Sequence, residues 1–582
     1  MDEKPKSIWK KSWTGWRGFL LSSVLAFAVV AAIGWLAGAD AGLTLSIAGI
    51  LIVVSLVMVF GVCLFRWFFC WRNLKRSLFG LACLATLIAL FYAEEDWRGW
   101  HAWNKFKHEW EAQGEKFDFT SVVPPPVPDD QNFAMAPIWV ESMKAALGPK
   151  NSRQWFGDNF AENGRTNFVN RIFNMPLTDN DSYWRTNGQG NWEKATLTDL
   201  KPWQNYYRAL AAKTNSFPAA PQPQSPAQDV LLALSKYDST IEEMRQAGQR
   251  PFSRFPLNYN RDEVWAILLP HLAALKRCTQ VLQLRAIAEL QNGQSDKALD
   301  DVKLELRLAD AIRTEPFLIS HLFRIAILQI ALQPVYEGLA EHRWSDAQLV
   351  ALDAELAKLE FLADYKLSMR GEMGCQNGIF DLLIRNHREL FNISSVTGSS
   401  SGPPFISSLI PTGWFYQNRL RCARMMVEFY IPLADVDQQT VSPAAVRHAD
   451  EVLKAGTKKI TPYNILERML FPALGNAVEK FARAQSSVDS ARVAVALERY
   501  RLAHGEFPGS LDTLAPQFLE KVPHDIIGGQ PLHYRRTSDG QFVLYSVGWN
   551  ERDDDGVVVL TKGSTPSVDI NQGDWVWRYP AR

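Results

Sequence analysis

The run FLLSSVLAFAVVAAIGWLA (19–37) contains no charged residue and opens a strongly apolar N-terminus. Two uncharged runs follow, LTLSIAGILIVVSLVMVFGVCLF (43–65) and LFGLACLATLIALFYA (78–93). A helix rising about 1.5 Å per residue needs roughly 20 apolar residues to cross about 30 Å of hydrocarbon. The first two runs reach that length, and the third lies near its lower limit. Lipid offers backbone N–H and C=O groups no partner, so helix is the predicted state of all three. Residues 1–93 are therefore read as a three-helix transmembrane anchor. Ala37-Gly38-Ala39 looks like a signal-peptide cleavage site, but the long apolar core and the second run close behind it favour a retained span.

Orientation follows from the flanking charges. Lys4, Lys6, Lys10, Lys11 and Arg17 precede the first run, and the link to the second carries only Asp40. Arg66, Arg72, Lys75 and Arg76 lie between runs two and three, and Glu94, Glu95 and Asp96 follow run three. An excess of Lys and Arg marks the cytoplasmic side. The N-terminus is thus predicted to be cytoplasmic and everything after about residue 94 to lie beyond the membrane. Trp9, Trp13, Trp16, Trp67, Trp71, Trp97, Trp100 and Trp103 cluster at the expected interfaces. Membrane lipid is the first expected partner.

A chain of 582 residues exceeds one ordinary domain. A hydrophobic fraction of 47% with 21% charged residues excludes wholesale disorder. Lys+Arg and Asp+Glu both number 62, so no global field favours a nucleic-acid partner. Six cysteines make no disulfide framework.

Residues 94–130 read as a juxtamembrane helix (97–117) and a stiff spacer, VVPPPVP (122–128). Residues 131–475 read as a mostly helical domain. Within it, 151–205 is rich in Asn, Gly, Trp and Asp, and SFPAAPQPQSP (216–226) looks like a second linker. A helix ending at Gln291, a turn at Asn292-Gly293 and a restart capped by Ser295 resemble one tetratricopeptide-type hairpin near 280–313. No repeat of roughly 34 residues extends it, so an irregular bundle is the alternative. Ser345 and Gln348 form a predicted capping box ahead of a Leu349, Leu352, Leu356 and Leu359 stripe.

Residues 480–582 carry the most specific pattern. Ala484, Val488, Ala491, Val495 and Leu502 share one face of a long helix, and Gly505 suits its left-handed cap. Strands at 532–536 and 541–547 flank Asp539-Gly540, a hairpin turn signal, and 557–560 and 575–577 add shorter strands.

The run LERYRLAHGEFPGSLDTL (497–514), with VPHD (522–525), GQPLHY (529–534), LYSVG (544–548), NERDDDG (550–556) and Asp569-Ile570, resembles the C-terminal domain of major pseudopilins of type II secretion systems (type II secretion system protein G). The whole chain is similar to uncharacterised bacterial multi-span membrane proteins with such a tail. The resemblance implies a small α+β pilin-like domain and a bacterial inner-membrane protein whose body is periplasmic. It also implies a Ca²⁺ site: carried over by position, the ligands are Asn550, Asp553, Asp555 and Asp569, with Ser546 contributing. The alternative is a solvated acidic turn at 553–555. No Gly-Phe-Thr-Leu-x-Glu-like processing site stands near the start, which argues for a borrowed fold rather than a filament subunit.

The predicted fold class is thus mainly α: three transmembrane helices, a large extracytoplasmic helical domain and a small α+β tail. No phosphate loop, His-Glu-x-x-His or Cys-x-x-Cys motif occurs, and no Gly-x-Ser-x-Gly nucleophile elbow is read, since the Gly398–Gly402 string belongs to TGSSSGPP (397–404), which reads as a loop. His271 and His321 fall on apolar stretches and read as core histidines, and His524-Asp525 lacks a nucleophile. No catalytic residue and no required cofactor is predicted. Two function classes follow. One is an envelope interaction or scaffold protein with protein partners, linked to secretion or pilus-type machinery. The other is an envelope hydrolase with a site in 151–203.

Overall fold

The computed structural model describes residues 71–145, 171–172, 175–178, 188–214, 216–260, 263–390, 407–471, 474–563 and 566–580, with scattered positions between 24 and 65. It divides into two compact units, Met1–Glu94 and Glu95–Arg582.

In the first unit, the runs at 19–37 and 43–65 lie only partly within the described residues. The positions described there are helical, and most of them, Val24, Ile33, Val53 and Met58 included, are exposed. Helix α1 (Trp71–Glu111) contains the third run and continues without a break through the expected juxtamembrane helix. Among the described residues two helices, not three, are long and apolar enough to span a membrane: α1 and Leu318–Ala340. The second is a core helix, since 61% of its apolar window is buried and it carries the fully buried Arg324.

The second unit is mainly helical. Its helices are α2 (Leu200–Thr214), α3 (Pro226–Leu234), α4 (Asp238–Gly248), α5 (Pro270–Gln291), α6 (Ser295–Asp310), α7 (Leu318–Ala340), α8 (Asp346–Leu356), α9 (Phe361–Arg385), α10 (Thr412–Arg424), α11 (Pro443–Thr457), α12 (Ile465–Leu470) and α13 (Ala477–His504). Ser345 and Gln348 form the expected capping box on α8. Ser295 is not a cap: it is the first residue of α6, Gln294 precedes it as N-cap, and its hydroxyl accepts from Gln348 Nε2 at 3.0 Å. Gly505 closes α13 with φ +85°, a conformation costly for a side chain with Cβ.

Helices α5, α6 and α7 pack mutually and separate two apolar cores. Val302 and Leu306 of α6 face one core, and Leu304 and Leu308 face the other. The 122–128 segment is no free spacer. Pro124 is buried, its carbonyl accepts from Arg254 Nε at 3.0 Å, and Val122 and Val123 pack on the second core. The 216–226 segment is likewise tied down, by buried Phe217 and by Lys236 Nζ donating to the Ser216 carbonyl at 2.8 Å.

After a two-residue ladder, β1 (Ala434–Asp435) with β2 (Thr440–Val441), the C-terminal strands form two small antiparallel sheets. Strand β4 (Phe542–Ser546) lies between β3 (His533–Arg536) and β7 (Trp575–Arg578), while β5 (Val558–Leu560) pairs with β6 (Val568–Gly573). Pleating sends Phe542 and Leu544 into the first core and Val543 and Tyr545 to the other face. Helix α13 packs against α7, α8 and α9 and also against β4 and β7. The boundary expected near 475–480 is therefore not a break in packing.

Trp577 sits at that junction, 0% exposed, with its ring 5.5 Å from Tyr336 of α7 and 5.3 Å from Trp192. Tyr336 Oη donates to the Arg578 carbonyl at 2.9 Å. Trp577→Ala is expected to cost about 3–5 kcal/mol through lost burial and the void left behind. Chemical denaturation in detergent should show the helical and sheet signals weakening together; an unchanged midpoint would contradict the shared core.

Candidate functional site

Among the described residues a small cleft forms where the tail sheet meets the helices. Its local structure begins at Asn191, whose side chain accepts from Lys194 N at 3.0 Å and starts a short turn, Trp192–Lys194. Ala195 ends the turn in the left-handed region, at φ 53°. The stretch 188–199 then lies as a strap along α7. Gln333 Oε1 accepts from Trp192 N at 2.6 Å, and Glu337 Oε1 accepts from Thr198 N at 3.0 Å and Thr198 Oγ1 at 2.6 Å. Burial is the main force raising the Glu337 pKa to about 7, against the pull of those bonds.

The cleft is small and partly open, with about 20 Å³ that a water-sized group can occupy. Its floor is α13, with Arg483, Ser486, Ser487 and Ser490; Trp192 and Glu193 form one wall, Val558 and Val568 another, and β7 the back. Arg483 Nη2 donates to Glu193 Oε1 at 2.6 Å and Nε to the same oxygen at 3.1 Å, so the guanidinium closes the strap onto α13. Ser487 Oγ donates to the Arg483 carbonyl at 2.8 Å and accepts from Gln329 Nε2 at 3.3 Å. No histidine lines the cleft, so its serines have no imidazole base at hand. The arrangement can hold a polar group between indoles and hydroxyls; it does not assemble a nucleophile with its base. Sequence reasoning marked 151–203 for its Trp and Asn content, and Trp192 and Glu193 do reach this cleft. Residues 146–170 and 179–187 lie outside the described residues.

Each of the four expected Ca²⁺ ligands has a partner within the protein. Asn550 Nδ2 donates to Asp554 Oδ2 at 2.7 Å, and Asn550 Oδ1 accepts from Arg552 N at 3.0 Å. Asp553 Oδ1 accepts from Tyr545 Oη at 3.0 Å and from Asp555 N at 2.9 Å, with His533 Nδ1 3.4 Å from its other oxygen. Asp555 stands 3.8 Å from Arg535 Nε, and Asp569 Oδ1 accepts from Asn571 N at 3.0 Å. Ser546 Oγ donates to buried Asp525 Oδ1 at 2.7 Å. Cationic and backbone donors thus occupy the oxygens a hard cation would need. Among the described residues no group of three or more His, Cys, Asp or Glu side chains is placed to hold a metal.

The carboxylate that shapes this loop is one the motif search passed over. Asp574 is 1% exposed and accepts from Asp554 N at 3.2 Å and Gly556 N at 2.7 Å. A lone Asp between Gly573 and Trp575 carries no spacing signal that would single it out.

Other buried titratable groups lie outside the cleft. His271 Nε2 is 2.8 Å from Glu315 Oε1, and His321 Nε2 donates to the Glu315 carbonyl at 2.8 Å. Burial, helped by Arg324, lowers the His321 pKa to about 3, so both histidines are core groups. Arg324 Nη1 pairs with Asp364. On α6, Asp301 accepts from Arg245 Nη2 at 2.8 Å and Arg285 Nη1 at 3.0 Å. Glu305, one turn on, is fully buried, and neither carboxylate oxygen has a hydrogen-bond partner. Burial, then the charge of Asp301, pushes its pKa well up.

Compared with protein-family models, with curated proteins and with solved structures, the chain matches none of them.

Two outcomes follow from this geometry. Thermal melts of the full chain in roughly millimolar Ca²⁺ and in chelator should coincide. A Ca²⁺-dependent rise that vanishes in Asp553→Ala would show instead that the loop rearranges into a cage. Glu305 and Glu337 hold protons more tightly folded than unfolded. Their contribution is full below the unfolded carboxyl range and is lost as pH rises through the folded values, so it falls between about pH 4 and pH 7 and above. Glu305→Gln removes the ionisation and should stabilise the chain at pH 8 by about 1–3 kcal/mol and by less at pH 5. Denaturation midpoints at the two pH values measure this; an equal effect at both would contradict it.

Proposed function

We propose that this chain is a membrane-anchored scaffold of the bacterial cell envelope. In this reading three N-terminal helices cross the inner membrane with the N-terminus cytoplasmic. The body after about residue 94 is periplasmic and presents surfaces to protein partners, including components of secretion or pilus-type machinery. The observation that carries the reading is α1. Its apolar part is exposed, with Leu78, Phe79, Leu87 and Leu90 each more than half accessible, while further along Glu95, Gly99, Trp103 and Phe106 are buried in the second unit. A helix apolar on all sides and exposed among the described residues suits lipid. The basic N-terminus and second link support the orientation. The helix ending at Gly505, followed by an antiparallel hairpin, agrees with the pseudopilin-like reading of the tail. Because that sheet shares a core with α7 and α13, the tail acts within the body rather than as a free filament subunit.

A second reading, an envelope hydrolase, draws on the cleft walled by Trp192 and Glu193. It needs a base for the serines, and the two carboxylates of the lining are already engaged, Glu193 with Arg483 and Asp574 with the Asp554 and Gly556 amides.

Sidedness can be tested with single cysteines. Val350→Cys, on an exposed position of α8, should react with a membrane-impermeant maleimide in intact spheroplasts, whereas Ser12→Cys should react only after lysis. The reverse pattern would overturn the orientation. Crosslinking in intact cells should capture envelope proteins, and recovery of the chain alone would count against the scaffold role.

A further inference from the structure

Three residues beyond the last apolar residue of the third run, α1 is clamped to the body. Asp96 Oδ1 accepts from Gly413 N, at the start of α10, at 2.6 Å. Glu95, 4% exposed, accepts from Arg98 Nη2 at 2.6 Å and from Tyr463 Oη at 2.9 Å. Arg98 lies over the Tyr463 ring at 5.4 Å, and Trp414 meets the same ring edge-on at 6.2 Å. The two backbones touch: a Cβ on Gly99 would stand 2.5 Å from the Gly413 carbonyl oxygen, and one on Gly413 would fall onto the Glu95 carbonyl.

The surroundings of this clamp are unusual. Trp97, Leu409 and Ile460 are 64%, 63% and 65% exposed, and no other described large apolar side chain of residues 95–582 exceeds 51%. All three stand within four residues of a clamp residue: Trp97 beside Asp96, Leu409 before Gly413 and Ile460 before Tyr463. Trp100 and Ile465, at 50% and 47%, flank the same contacts. Exposed Lys458, Lys459 and Arg468 share the segment with Ile460 and Ile465. Two of the three acids following the third run, Glu95 and Asp96, are turned inward by their hydrogen bonds, which leaves the exposed charge here mostly basic.

We propose that this face, centred on Trp97, Leu409 and Ile460, seats in the headgroup zone of the bilayer that α1 enters. The proposal rests on the reading of the apolar part of α1 as a membrane span. Continuity selects lipid as the occupant. Asp96 lies within one helical turn of the apolar run, about 5 Å along the axis, so side chains held beside it are at interfacial depth. Indoles and aliphatic side chains edged by lysines fit a zone that is apolar on one side and anionic on the other. The face would thus give the body a contact with lipid in addition to the span.

The test uses the full chain in nanodiscs containing anionic lipid, with Cys63, Cys70 and Cys83 replaced by serine. An environment-sensitive fluorophore is placed at Ile460→Cys, Leu409→Cys, Leu87→Cys or Val350→Cys, one at a time, and lipids brominated near the carbonyl end of the acyl chain serve as quencher. Loss of emission is expected at 460, 409 and 87 and not at 350. Lys458→Glu with Lys459→Glu should reduce the loss at 460 and leave that at 87 unchanged. Quenching at 87 without quenching at 460 and 409 would overturn the proposal while leaving the span intact, and would leave the face to a protein partner. No quenching at 87 would overturn the span reading itself. Quenching at 350 as well would show unspecific contact and remove the special role of this face.

Discussion

The burial of α13 on several sides at once is the constraint on which the body depends. Its 28 residues carry a dense set of small side chains, among them Ala482, Ala484, Ser486, Ser487, Ser490, Ala491 and Ala494, all buried. Small residues let neighbouring backbones approach, so helices α7, α8 and α9 reach α13 from one direction and β4 and β7 from another. Polar groups are satisfied at the same contacts. Gln485 Oε1 accepts from Phe361 N at 2.8 Å, meeting a donor that the first turn of α9 would otherwise leave bare. Arg492 and Arg499 reach Asp353 and Asp346 of α8, each at 2.8 Å. Such partly exposed pairs add little energy and fix register.

The same economy governs the entry of α1. Its apolar part is exposed among the described residues, and its later residues complete the first core through Trp103 and Phe106. Arg419 lies over the Trp103 ring at 4.3 Å and donates to Asn377 Oδ1 at 2.8 Å, which ties α1, α9 and α10 together.

Local signals were legible and distant ones were not. The capping box at Ser345, the cap at Gly505 and the hairpin turn at Asp539-Gly540 each depend on neighbours a few residues away, and each is present. The stripe through Ala484, Val488, Ala491 and Val495 is buried as expected, but Leu502 is 45% exposed, beyond the part of α13 that the sheet covers. Proline-rich stretches read as free linkers because composition reports stiffness and says nothing of Arg254 or Lys236 waiting to bind them. The cleft was half visible: indole and amide content pointed to Trp192, whereas Arg483, Ser490 and Asp574 come from segments nearly 300 to 400 residues further along the chain. Around the expected Ca²⁺ set, Tyr545, His533 and Arg535 on the adjacent strands contact the oxygens of Asp553 and Asp555, which the spacing of the acids alone does not reveal.

Native-state hydrogen exchange read by mass spectrometry tests the shared core most directly. Amides of α7, α13 and β4 should open with one common free energy, and the protection of all three should fall equally in mild denaturant. Early exchange of β4 while α7 stays protected would contradict the account, because the tail would then be a separate domain resting on the helices.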